Sequence, residues 1–202
     1  MRKIIFTALT LGFAAAVAQP ALAQDKSPTS FRGFRLEGNV GGDRFQSQGV
    51  HRDKLGYGGT IGFDGVINDK IVIGPEASFW RANNWTENCT AATGGTVCHK
   101  SFEEFGVGVR AGVLLTPQFL VFGKGGYVVN DQRKNLTSPT GQQIFYNHGN
   151  TTGYQLGGGV EYTLSNSDAK LPVYIGAQYV YSQYSDHTSR QRVMGTIGIR
   201  FK

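Results

Sequence analysis

Eight stretches of this chain carry an uncharged residue at every second position: 34–40, 57–63, 71–79, 105–113, 119–129, 154–164, 171–181 and 193–201. The forty-one positions of these stripes hold no Asp, Glu, Lys or Arg, and no Ser, Thr, Asn, Gln or His. The chain as a whole is 17% charged, so about seven charges would fall there by chance. A period of two is the strand period, and no 3.6-residue pattern follows residue 23. The chain must therefore fold as strands that all turn one face toward an apolar medium.

The opposite face decides what that medium is. Between the ends of each stripe it has thirty-three positions, of which eleven are Gly, among them Gly62, Gly106, Gly108, Gly112 and Gly198. Seven are charged: Arg35, Glu37, Glu76, Arg110, Lys124, Glu161 and Arg200. A soluble eight-stranded barrel would turn this face to water, where strand glycine costs about 0.5–1 kcal/mol against alanine and gains nothing. An eight-stranded membrane barrel turns it inward, where there is barely room for side chains and glycine makes space for long charged ones. The expected fold is all-β, an eight-stranded antiparallel up-and-down transmembrane β-barrel.

Aromatic placement agrees. With both ends of the chain on one side, Phe34, Phe63, Phe119, Tyr162 and Phe201 mark one level, and Tyr57, Phe79, Phe105, Tyr127, Tyr154 and Tyr181 the other. Two aromatic rings at the two interfaces are what a membrane barrel carries. Segments 64–70, 114–118 and 165–170 read as short turns, and 46–54, 82–101, 130–151 and 183–191 as long polar loops.

Residues 1–23 read as a secretory signal peptide: a basic start at Arg2 and Lys3, an apolar run, then Ala21-Leu22-Ala23. Residues 24–30 form a short N-terminal segment, and 31–202 the barrel. Eighteen cations against fourteen anions then remain, a weak excess that, with export, argues against nucleic acid as a partner. After the signal no apolar run is long enough for a membrane helix.

Three motifs carry a resemblance: Phe105-Gly-Val-Gly-Val-Arg-Ala-Gly112, Gly153-Tyr-Gln-Leu-Gly-Gly-Gly-Val-Glu-Tyr162 and the last strand, Val193 to Phe201. With the signal peptide, they make the chain resemble the small outer-membrane barrels related to the OmpA transmembrane domain, the porin-like or opacity-type proteins of Gram-negative bacteria. The resemblance implies an outer-membrane location. It implies lipid and lipopolysaccharide as surroundings, and an interior charge cluster. It also implies that Phe201 is the aromatic read by the barrel-assembly machinery, although here Lys202 follows it.

Candidate chemistry is sparse. Strands four and five turn near residue 117, which makes Arg110 and Lys124 cross-strand neighbours, with Glu76 and Glu161 on the flanking strands. Two cations between two anions read as an inert polar plug, with a gate for small ions as the alternative. Cys89 and Cys98, an even pair in an exported chain, read as a disulfide. Together with His99 they fall short of a structural zinc set. His187-Thr188-Ser189 resembles the His/Ser arrangement of outer-membrane lipid-modifying enzymes, but no acid follows Asp186 to orient a base. The expectation is a protein without catalytic residues, metal or cofactor. Its role would be structural or surface-interactive, including adhesion to host or cell-surface ligands through the loops. A narrow porin-like channel is the alternative, and a lipid-modifying enzyme the less favoured one.

Overall fold

The computed structural model describes residues 31–164 and 171–201. The expected signal peptide, the turn at 165–170 and Lys202 lie outside the described residues. The alternating stretches form eight strands: β1 (Gly33–Ser47), β2 (Val50–Ile67), β3 (Ile71–Ala92), β4 (Gly95–Thr116), β5 (Phe119–Thr137), β6 (Gln143–Thr163), β7 (Val173–Tyr184) and β8 (Ser189–Phe201). Each pairs antiparallel with its neighbour in sequence, and β1 pairs with β8 to close the barrel. Closure leaves no edge within the ring, the condition for strands to cross lipid.

No stripe side chain is buried, and Phe34, Val107, Val109, Leu156, Val193 and Ile197 are each more than half exposed. The aromatic levels meet across the strands. Phe34 is registered with both Phe63 and Phe201, Phe119 with Tyr162, Phe79 with Phe105, and Tyr127 with Tyr154. The Phe34–Phe63 and Phe79–Phe105 rings stand 5.1 and 5.2 Å apart. Such cross-strand pairs stabilise a sheet by about 0.2–1 kcal/mol each.

The loop expectation needs correction. Most of 46–54, 82–101, 130–151 and 183–191 is strand. The outer side turns tightly, with Gln48-Gly49 at φ 50° and 77°, as sharply as Asn68-Asp69 at φ 50° and 52° on the other side. Positive φ at both central residues matches the twist of a two-residue hairpin. The extra length lies in the strands. β3 runs on from Phe79 to Ala92, and β6 begins at Gln143, ahead of Tyr154. β7 stops at Tyr184, and β8 starts at Ser189. β3–β6 therefore rise as a four-stranded sheet above a shorter β7–β8 side.

Asp64 to Ile67 and Leu114 to Thr116, read as turn, also belong to β2 and β4. The inward face is not polar throughout. Phe31, Val66, Val72, Leu114, Leu120 and Phe122 form a buried apolar plug at the end that holds the chain's first described residue.

Candidate functional site

Above the apolar plug, inward-facing positions of seven strands assemble a charge layer. All seven charges expected inside are buried in it: Arg35, Glu37, Glu76, Arg110, Lys124, Glu161 and Arg200. Arg110 and Lys124 are registered partners, as the turn arithmetic requires. Lys124 Nζ sits 2.8 Å from Glu76 Oε1, and Arg35 Nη2 donates to Glu76 Oε2 at 2.9 Å. Arg110 does not meet Glu76. It pairs with Glu161 and grips a residue that stripe reading left in a turn, Asp64, at 2.9 Å from Nε and 2.5 Å from Nη2. Arg200 also pairs with Glu161 and lies 3.4 Å from Asp64. Arg35 pairs with Glu37, whose carboxylate accepts the Tyr174 hydroxyl at 2.9 Å.

Arg35, Arg110, Lys124 and Arg200 thus face Glu37, Asp64, Glu76 and Glu161, four cations against four carboxylates. Balance matters because an uncompensated ion removed from water costs several kcal/mol. Glycine creates the room. A Cβ at Gly62 would meet the Arg35 guanidinium, and one at Gly198 the Tyr174 ring.

Next comes an amide layer. Asn39 Nδ2 donates to Thr60 at 3.1 Å, and Asn39 Oδ1 accepts from Gln178 at 2.9 Å and Thr196 at 2.7 Å. A cavity of about 10 Å³ beside it is the size of a single water.

Trp80, Val180 and Met194 follow, and then a second charge layer. Asp43 accepts from Trp80 Nε1 at 2.7 Å and faces Arg190 at 3.4 Å. Glu104 pairs with Arg192 at 2.7 Å and accepts from the Tyr184 hydroxyl. Here two cations meet two carboxylates. Asp43, Asp64, Glu104, Arg190 and Arg192 were all missed, although each continues the inward parity of its strand a few residues past the apolar stripe.

The protruding sheet has different chemistry. Cys89 and Cys98 are registered across β3 and β4 and joined as a disulfide. His99 is buried on the other face of β4. Burial and the nearby Lys134 hold its imidazole below the ordinary value of 6.5. On the outer face, Trp85 packs on Phe102 at 5.1 Å, and Lys100 stands over both rings at 5.0 and 5.6 Å. Arg81 covers Trp85 at 5.0 Å, and Arg133 pairs with Glu87 at 3.0 Å.

His187 occupies the β7–β8 turn at φ 64°. The Asp186 carboxylate takes the Thr188 hydroxyl at 2.6 Å. Among the described residues no hydrogen bond joins His187 to Asp186 or Ser189. Phe201 lies on the outer surface at the end of β8, paired with Phe34.

The profile of the outer membrane protein beta-barrel domain matches residues 6–201. No curated protein sequence matches the chain. Among solved structures, Ail, the attachment invasion locus protein of Yersinia pestis, in complex with the heparin analogue sucrose octasulfate, is similar. It is 15% identical with a TM-score of 0.56, over 84% of this chain and 99% of that one. Another structure of Ail from Yersinia pestis is 16% identical with a TM-score of 0.51, again over 84% and 99%. At such identity the likeness speaks for the fold alone.

Proposed function

Because the chain belongs to the outer membrane protein beta-barrel domain family, and so sits in the outer membrane of a Gram-negative bacterium, we propose that its sealed barrel anchors a contact surface built on the β3–β6 sheet. One observation carries this reading: the two balanced charge layers and the apolar plug fill the lumen, while four strands continue past the upper aromatics. A filled lumen is an anchor rather than a path for solutes, and the elongated strands present side chains outside the cell. The barrel's direct surroundings are membrane lipid and lipopolysaccharide. Contacts with host or other cell surfaces fall to the sheet.

The chain acts without a catalytic residue in this reading, since Asp186 is engaged by Thr188 rather than orienting His187. Phe201, the last residue of β8, serves as the signal for the barrel-assembly machinery. A Phe201→Ala chain should accumulate unassembled in the periplasm, seen as loss of the unboiled, fast-migrating band.

The main test trims the sheet. Residues 86–101 and 132–149 are each replaced by an Asn-Gly turn. The trimmed barrel should keep its heat-modifiable migration, and cells bearing it should lose attachment to surfaces that bind cells with the full chain. Equal attachment by both would overturn the reading.

A further inference from the structure

Above the membrane the inner face of the protruding sheet is polar and incompletely filled. Period-two alternation turns Phe145, Asn147, Gly149 and Thr151 of β6 to that face. His99 of β4, Lys134 of β5 and Asn147 are registered in one row across the three strands. Together with the β7–β8 turn these residues line a cavity of about 420 Å³. Small-ligand sites measure roughly 300–1,000 Å³, so this one has room for a ligand. β7 stops at Tyr184 and β8 starts at Ser189, so the facing wall is low and the cavity opens to the outside.

Gly149 keeps this space open. A Cβ there would meet nothing within 4 Å, unlike one at Gly62 or Gly198 in the ring, where glycine makes room for a neighbouring side chain. Among the described residues nothing requires glycine at this strand position, where it is less stable than alanine. What a larger side chain would take away is the volume of the cavity, which Gly149 lines.

The lining groups are unengaged. Among the described residues Lys134 has no carboxylate within ion-pair distance, and no hydrogen bond engages the side chains of Asn147 or Thr151. His99 is buried, and its Nδ1 has no hydrogen-bond partner. The Asp186 carboxylate is taken by Thr188, and Arg133, at the cavity's margin, by Glu87. The cavity therefore presents one uncompensated positive charge, an amide and a hydroxyl that each donate and accept, and the exposed ring of Phe145. A matching ligand carries one negative charge, several hydroxyls and an apolar C–H face. A multiply charged phosphate or sulfate ester would leave negative charge uncompensated. A zwitterionic amino acid would bring a second cation beside Lys134 with no free carboxylate to receive it.

We propose that this cavity binds a carboxylated sugar residue, the acidic pyranose of a glycan. The carboxylate meets Lys134, the C–H face of the ring lies on Phe145, and the hydroxyls bond Asn147, Thr151 and the imidazole of His99. A residue of this kind comes either from a host-surface glycan or from bacterial lipopolysaccharide, and the chemistry that recognises it is the same for both. The proposal rests on the reading of the protruding sheet as the contact surface, and names its ligand class.

The test titrates the wild-type barrel in detergent micelles with methyl glycosides of N-acetylneuraminic acid, the host-type sugar, and of ketodeoxyoctulosonic acid, the bacterial one. Each is used as the free acid and as its methyl ester, and binding is read by calorimetry and saturation-transfer NMR. At least one acid should bind, with its ester at least tenfold weaker, and the tighter acid identifies the source. Lys134→Gln should bring the affinity of the acid down to that of its ester. Gly149→Phe, which fills the cavity without touching the fold, should abolish binding while keeping heat-modifiable migration. Binding of neither acid, equal binding of acid and ester, or unchanged binding by Gly149→Phe would overturn the proposal. So would displacement of the sugar by inorganic sulfate, which would make Lys134 a bare anion contact. If the sugars fail while the trimmed barrel still loses attachment, the cavity is wrong and the contact surface stands.

Discussion

Arg110 and Lys134 sit on strands of one continuous sheet and meet opposite conditions. Arg110, in the membrane ring, is 1% exposed and held by Asp64 and Glu161. Lys134, in the protruding sheet, is exposed and has no ion-pair partner among the described residues. The backbone shows the same contrast. In the ring every strand has two neighbours, whereas above it one side of β6 is bare. In lipid each unpaired backbone group costs several kcal/mol, and in water very little. The sheet is open only where water reaches it, so the boundary between anchor and contact surface follows solvent rather than chain order.

Breaking the inner half of the comparison should have the largest effect. Arg110→Ala leaves Asp64 and Glu161 short of a cation, and losing one side of a buried pair costs about 3–5 kcal/mol. Denaturant unfolding in detergent should show that loss. Asp64→Ala in the same chain should restore part of it, because those two side chains touch. Glu76→Ala with Arg110→Ala should come closer to additive, since no ion pair joins them.

The disulfide belongs to the outer half, and its loss should be local. Replacing both Cys89 and Cys98 with Ser should make opening of the β3–β4 hairpin easier by about 2–3 kcal/mol on the loop-entropy view, read as faster protease nicking. Resistance of the barrel to SDS before boiling should not change. On intact cells, thiol reagents should label neither cysteine until a reductant is added.

The smallest effect concerns pH. The depressed pKa of His99 means the folded hairpin prefers the neutral ring. Below about pH 6.5 the unfolded chain takes up the proton first, so stability present at neutral pH declines as pH falls through the folded value. The protruding sheet should melt earlier at about pH 5 than at about pH 7.5, followed by proteolysis, and His99→Phe should flatten that difference.

The stripe of uncharged alternation specified the strands, their direction and which face meets lipid, because a one-residue slip would have put a charge on that face. It also placed Arg110 opposite Lys124. It did not reach the ends of the strands. Asp64 and Glu104 lie just beyond the ends of their stripes, where the alternation fades although inward parity continues: past Asp64 the inward Val66 is as apolar as the outward Ile67, and before Glu104 the outward Glu103 is charged. The polar sequence of 82–101 and 130–151 looked like loop because those strands leave lipid, and strands in water need no apolar face. The pairing of Glu76 with Lys124 rather than Arg110 depends on side-chain reach across the lumen, which strand order does not encode.

The most direct test of the sealed anchor is a planar-bilayer recording of the purified, folded wild-type protein. The account predicts a silent bilayer, because balanced ion pairs and the Phe31–Phe122 plug occupy the lumen. Steady, voltage-stable ion steps from wild-type protein would contradict it and make the barrel a channel.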